Sequence, residues 1–179
     1  IVVIDESSSM GDQQDFTEVM IPQLDAALLA AGVGNTGAGG NLYGLVGFGG
    51  PRSGGYPHPV GTGGSLWGTS TEYVTAAQGL VTVSGAADGY YGLDYALDNY
   101  GFRANAAKFV ILVTDTTRES FGGGSLSTAT YASLLAKLTA AGVTLETIVN
   151  ARYWDGTGAS ALAVDYASTA YLADGLGGY

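Results

Sequence analysis

The chain has 179 residues, with 6 Lys and Arg against 16 Asp and Glu, for a formal net charge of −10. That balance excludes the basic footprint a nucleic acid requires and argues against an anionic membrane surface. Zero cysteines exclude disulfides and thiolate sites, a single histidine excludes multi-histidine metal sites, and no apolar run approaches the roughly 18 residues of a membrane span. The length suits one domain, residues 1–179, with a sizeable core. Glycine supplies 30 residues, well above the average usage of about 7%.

The chain opens without an initiator methionine, already inside an apolar run, Ile1 to Ile4, and reads as a piece of a longer protein. That run is short, β-branched and uncharged, the pattern of a buried strand. A polar stretch, Asp5 to Asp15, precedes a helical pattern from Phe16 to Ala31. Phe16, Met20, Leu24, Ala27, Leu28 and Ala31 share one face of it. Asp15 and Glu18 resemble a capping pair, Pro22 is expected to kink the helix, and Gly32 to end it. Leu42 to Phe48 is a second apolar run. Gly49 to Thr69, rich in glycine and proline, reads as a long surface loop anchored by Trp67. Thr71 to Gln78 suggests a short helix and Leu80 to Val83 a short strand. Asp88 to Tyr100 is helical, Lys108 to Thr114 a buried strand, Leu126 to Ala141 a helix stopped by Gly142, and Val143 to Val149 a strand. Residues 151–179 read as irregular or as a β-hairpin. Alternating strands and helices imply an α/β fold: an open, mostly parallel, Rossmann-like sheet with helices on both faces.

Several motifs fail on context. Gly32-Val-Gly34-Asn-Thr-Gly37 fits G-x-G-x-x-G, but it follows a helix and opens a loop, whereas dinucleotide binding needs the reverse. No G-K-[ST] phosphate loop and no G-x-S-x-G elbow occur. His58, in Pro57-His58-Pro59, reads as a solvated loop histidine rather than a triad base. Asp155 and Asp165 read as surface or turn residues.

One constellation carries chemistry. Asp5-Glu6-Ser7-Ser8-Ser9 leaves the first strand as D-x-S-x-S. Alternate residues of extended chain point the same way, so Asp5, Ser7 and Ser9 converge. A carboxylate and two hydroxyls are hard oxygen donors, suited to Mg²⁺ or a similar cation. Asp115 follows the strand Phe109 to Thr114. In an open α/β sheet the carboxyl ends of central strands form the ligand crevice, which would set Asp115 beside Asp5. Carboxylates that close repel unless a cation or proton separates them. The plainer alternative is that these residues are helix caps.

These residues resemble a von Willebrand factor A (vWA) domain. Val2-Val-Ile-Asp5-Glu-Ser7-Ser-Ser9-Met10 is similar to that family's first strand and metal-ion-dependent adhesion site (MIDAS) loop, and Phe109 to Asp115 to its fourth strand and distal metal aspartate. Asp88 to Leu97, Gly101-Phe-Arg103 and Lys108 resemble a bacterial extracellular branch. The likeness spans roughly residues 1–150. It departs in three places: Ala86 stands where the family has a metal-binding threonine, Ser8 replaces a glycine, and the family's last core strand and C-terminal helix do not follow. Part of the sheet is therefore expected to be exposed, and Asp88 to stand in for the threonine. The resemblance implies a binding module of a secreted or surface bacterial protein rather than an enzyme. Asp5, Ser7, Ser9, Asp115 and Asp88 would hold Mg²⁺ (or Mn²⁺ or Ca²⁺), and a protein partner's Asp or Glu would fill an open coordination position. Glu6, the one candidate base beside the loop, is expected to be solvated or capping. The competing reading is a structural subunit of an extracellular assembly that uses the fold as a scaffold, with a degenerate metal site.

Overall fold

The computed structural model describes residues 1–35, 39–52, 54–115 and 127–149, so the hairpin expected over 151–179 lies outside it. Among the described residues five strands, β1 (Val2–Asp5), β2 (Leu45–Phe48), β3 (Tyr56–His58), β4 (Phe109–Thr114) and β5 (Thr144–Val149), form one sheet in the order β3-β2-β1-β4-β5. The β1–β2, β1–β4 and β4–β5 pairs are parallel, and only edge strand β3 runs antiparallel. All four residues of β1 are buried, as a central strand covered on both sides demands.

Among the described residues four α-helices cover the sheet: α1 (Phe16–Ala30), α2 (Ser70–Ala77), α3 (Gly89–Asn99) and α4 (Tyr131–Ala141). Helices α1 and α2 bring Ile21 and Tyr73 onto Val2, Ile4, Leu45 and Val113. Helices α3 and α4 bring Leu93, Leu134 and Leu138 onto Val3, Val46, Phe48, Val110, Leu112 and Leu145. The alternation along β1 and β4 thus feeds two cores, one on each face. The fold is the expected α/β one, with a mostly parallel sheet between helices.

Several elements differ from the sequence pattern. The polar stretch before α1 winds into a 3₁₀ segment, Ser8–Gln14, and hands the chain to α1 already helical. Asp15 therefore has helical angles (φ −62°, ψ −28°) and its side chain makes no capping bond, which an extended N-cap would have made. Glu18 instead accepts from Gln78 Nε2 at 3.3 Å. The α1 face is also rotated: Thr17 and Ile21 are buried, while Phe16 and Leu24 are more than a third exposed. Val19, Met20, Ile21, Leu24, Leu28 and Leu29 surround the helix, so the pattern names no single inner face. Pro22 lies within α1, which continues to Ala30.

The expected loop at 49–69 contains β3, whose Pro57 is tolerated because an edge strand leaves one side unpaired. Leu80 to Val83 contributes only a parallel bridge, Ser7 to Val83. Helix α4 begins at Tyr131, later than expected, behind a reciprocal Thr130–Ser133 capping box, and Gly142 ends it at φ +64° as anticipated. On the outer part of the sheet, Phe109 and Ile148 are 49% and 38% exposed.

Helix α3 lies against β1 and β2 through Gly92. A β-carbon there would run into Val3 and stand 2.9 Å from Phe48 Cδ1. Gly92→Ala gains up to about 1 kcal/mol of helix propensity but overpacks the core at about 1–3 kcal/mol. Denaturant unfolding is expected to show net destabilisation; a stabilised variant would contradict this packing.

Candidate metal centre

Asp5 is the last residue of β1 and is fully buried. Its Oδ1 accepts the Ser7 N–H at 2.7 Å, and its Oδ2 accepts the Thr114 hydroxyl at 2.7 Å. Thr114 closes β4, the parallel neighbour of β1, so the sheet itself holds the carboxylate from its far side. The next residue, Asp115, is 2% exposed, and its Oδ1 accepts the Ser9 hydroxyl at 2.9 Å. Ser7 Oγ and Ser9 Oγ lie 3.0 Å apart. Asp5, Ser7, Ser9 and Asp115 are therefore joined in one hydrogen-bonded run, through the Ser7 amide and the two serine hydroxyls, at the carboxyl ends of β1 and β4, where an open α/β sheet has its crevice.

Local structure explains why the loop takes this path. Ser7 has an extended backbone (φ −68°, ψ 156°) at the head of the 3₁₀ segment, and its side chain makes no capping bond there. Its hydroxyl turns to Ser9 instead, so the helix-cap alternative does not describe Ser7. The buried Gln14 donates from Nε2 to the Asp5 carbonyl at 2.7 Å, tying the end of the 3₁₀ segment back to β1. Because Asp5 is buried and belongs to the strand, it packs far more tightly than a loop carboxylate would.

The cap alternative does describe Asp88. It is the N-cap of α3, with Oδ1 accepting the Tyr90 N–H at 3.1 Å and Oδ2 accepting the Ser127 N–H at 2.8 Å. Ala86 is buried two residues earlier. Gly49 shows how near that segment comes to Asp5: a β-carbon at Gly49 would stand 3.0 Å from Asp5 Oδ1 and 3.3 Å from the Ala86 carbonyl, and its φ of +68° suits glycine.

Electrostatics sets Asp5 apart. Burial pushes its carboxyl up to about 6; the Ser7 and Thr114 hydrogen bonds pull the other way, and the Asp115 charge raises it further. Among the described residues no three His, Cys, Asp or Glu side chains gather as a metal cluster. The candidate set is instead two carboxylates joined by two hydroxyls. That donor chemistry fits a hard divalent cation: oxygen throughout, with fewer charges than a closed cage supplies.

Two expectations are corrected beside the site. Glu6 is neither solvated nor capping. It is fully buried; its Oε2 accepts from the Tyr56 hydroxyl and lies 2.9 Å from His58 Nε2, and its Oε1 accepts the Val81 N–H at 3.0 Å. His58 is accordingly no solvated loop histidine. It ends β3, with its side chain 20% exposed and against Glu6. The signal was present in the alternation: if Asp5 and Ser7 face the crevice, Glu6 points to the other side of a central strand, and that side is covered too.

No family model matches the chain, and no curated protein matches it. Solved structures do. Proximal thread matrix protein 1 (PTMP1) from the mussel byssus superposes with a TM-score of 0.53 at 20% identity in one crystal form, and 0.51 at 22% in another. A third structure of that protein, with a zinc-occupied MIDAS motif, gives 0.53 at 23%. Each covers 83% of this chain, which spans only 34–37% of theirs. The likeness is one of fold: an α/β, vWA-like sheet with helices on both sides.

The raised Asp5 pKa fixes a sign for pH dependence. A folded value near 6 against the ordinary 3.8 means that folding takes up a proton between them. The contribution favours the fold at low pH and is lost as pH rises through 6. With chelator present, Asp5→Asn should melt above the parent at neutral pH, and that advantage should shrink as pH falls below about 6. A difference independent of pH would contradict the burial described for Asp5.

Proposed function

We propose that this chain is a divalent-cation-binding, protein-recognition module of a secreted or surface protein, of the bacterial extracellular type its sequence resembles. The observation carrying this reading is the hydrogen-bonded run from Asp5 through the Ser7 amide and the Ser7 and Ser9 hydroxyls to Asp115, buried at both ends and open at Ser9, which is exposed. Asp5, Ser7, Ser9 and Asp115 would hold the ion, with Asp88, whose two oxygens already accept backbone N–H bonds, contributing through water where Ala86 cannot. Hard oxygen donors favour Mg²⁺, with Mn²⁺ or Ca²⁺ as alternatives; the zinc in one PTMP1 structure supports divalent metal in general. A bound cation would supply an incompletely neutralised charge with room for one more oxygen, which suits an Asp or Glu of a partner protein. The chain's own acidity opposes such a partner at long range, so the attraction would act locally.

We read a binding module rather than an enzyme. The acid nearest the loop, Glu6, is buried with both oxygens engaged, a poor arrangement for a base that must reach metal-bound water.

A second reading rests on Ala86 and on the neighbours being thread matrix proteins. In it the fold is a scaffold that self-associates in an extracellular assembly, with a degenerate metal site.

Calorimetric titration with Mg²⁺ and Mn²⁺ separates the two. The first reading expects binding that Asp5→Ala abolishes and that Ser9→Ala, at an exposed position, weakens in a fully folded protein. Ala86→Thr should tighten it severalfold by adding a hydroxyl ligand. No binding at millimolar metal, together with metal-independent self-association, would select the scaffold instead.

A further inference from the structure

We infer that Glu6 is a positioning residue for the cation site, fixing Asp5 and Ser7 relative to each other from the far side of the strand. This rests on the metal-site reading above.

Glu6 stands between the two residues it would position, and every polar atom it has is engaged. Its N–H donates to the Phe48 carbonyl at 2.8 Å, and its own carbonyl accepts the Val83 N–H at 3.1 Å. The peptide planes on both sides of residue 6 are therefore tied to neighbouring chain, one to β2 and one to the 81–83 segment. The side chain repeats the pattern. Oε1 accepts from Val81, and Oε2 takes the Tyr56 hydroxyl and lies against His58, both from β3. Three separate pieces of chain, β2, β3 and 81–83, meet on this one residue.

Space is reserved for it as well. A β-carbon at Gly47 would fall on Glu6 Oε2 and lie 2.8 Å from His58 Nε2. One at Gly50 would overlap the Glu6 carbonyl and stand 3.0 Å from Glu6 Cβ. Glycine at 47 thus leaves room for the carboxylate, and glycine at 50 for the backbone and Cβ of Glu6. Arg52 lies over the Tyr56 ring at 5.1 Å to its centroid, holding the tyrosine from outside.

The consequence is geometric. With residue 6 pinned at backbone and side chain, Asp5 and Ser7 have little freedom to move apart, and the Ser7 N–H stays on Asp5 Oδ1. Groups that orient metal ligands in this way typically change affinity by about 10–100-fold when altered.

The test uses Glu6→Gln and Tyr56→Phe, each with two readouts in the folded protein: Mn²⁺ affinity by calorimetry and hydrogen exchange of the Ser7 amide by NMR. Glu6→Gln keeps the size but sets an amide N–H₂ against a donor. It should weaken Mn²⁺ binding by about 10-fold or more and speed Ser7 exchange. Tyr56→Phe, which removes one donor and leaves the carboxylate, should do both to a smaller extent, and it carries the test if Glu6→Gln fails to fold. Unchanged affinity in a folded variant overturns the inference, and so does weakened affinity with Ser7 exchange unchanged, because a merely stabilising residue would lower the melting temperature without loosening that amide. If the parent protein binds no Mn²⁺, the metal reading fails by itself, and Ser7 exchange in the two variants alone decides whether Glu6 positions the loop.

Discussion

Asp5 and Asp115 follow one another across two adjacent parallel strands, and neither reaches water. Two carboxylates in one crevice of low effective dielectric repel strongly, and each loses its hydration besides. The surrounding structure is arranged around that repulsion. The Thr114 hydroxyl and the Ser7 amide take the two oxygens of Asp5, and the Ser9 hydroxyl takes one of Asp115. These donors oppose the upward push on Asp5, which comes chiefly from burial and least from the Asp115 charge. A cation in the crevice would neutralise the pair's negative charge, and that charge is the physical root of the functional reading.

The sheet order makes the crevice. With β1 central, β2 lies to one side of it and β4 and β5 to the other, so the gap above the carboxyl ends of β1 and β4 is the sheet's switch point. The 3₁₀ segment then carries Ser7 and Ser9 across that gap, and Gln14 brings it back to β1. Helices on both faces bury the strands, and the polar residues at their ends bond to one another. The same packing that stabilises the fold thus concentrates its charge.

Much of this was legible in the sequence because it depends on local pattern. The β-branched runs at Val2–Ile4 and Val110–Val113, the alternation of strand and helix, the D-x-S-x-S spacing and Asp115 after its strand all follow from periodicity and topology. What escaped depends on tertiary neighbours. Helix α1 is apolar on every side, so its inner face was fixed only by the sheet beneath it. Tyr56-Pro57-His58 carries no strand pattern of its own, yet it becomes β3 because β2 offers an edge and Glu6 offers an acceptor. Glu6 itself reads as solvent-facing by composition, since a buried carboxylate is rare unless paired. Only the fold supplies its tyrosine, histidine and backbone amide. Asp88 shows the opposite case: the motif suggests a ligand, whereas the geometry already employs it as the cap of α3 and the tether of Ser127.

The most direct test of the central claim is a crystal structure grown with Mn²⁺ and measured for its anomalous signal. The account predicts a single strong peak bounded by Asp5, Ser7, Ser9 and Asp115, at the carboxyl ends of β1 and β4. A fully ordered loop with no anomalous density there, at Mn²⁺ concentrations well into the millimolar range, would contradict it.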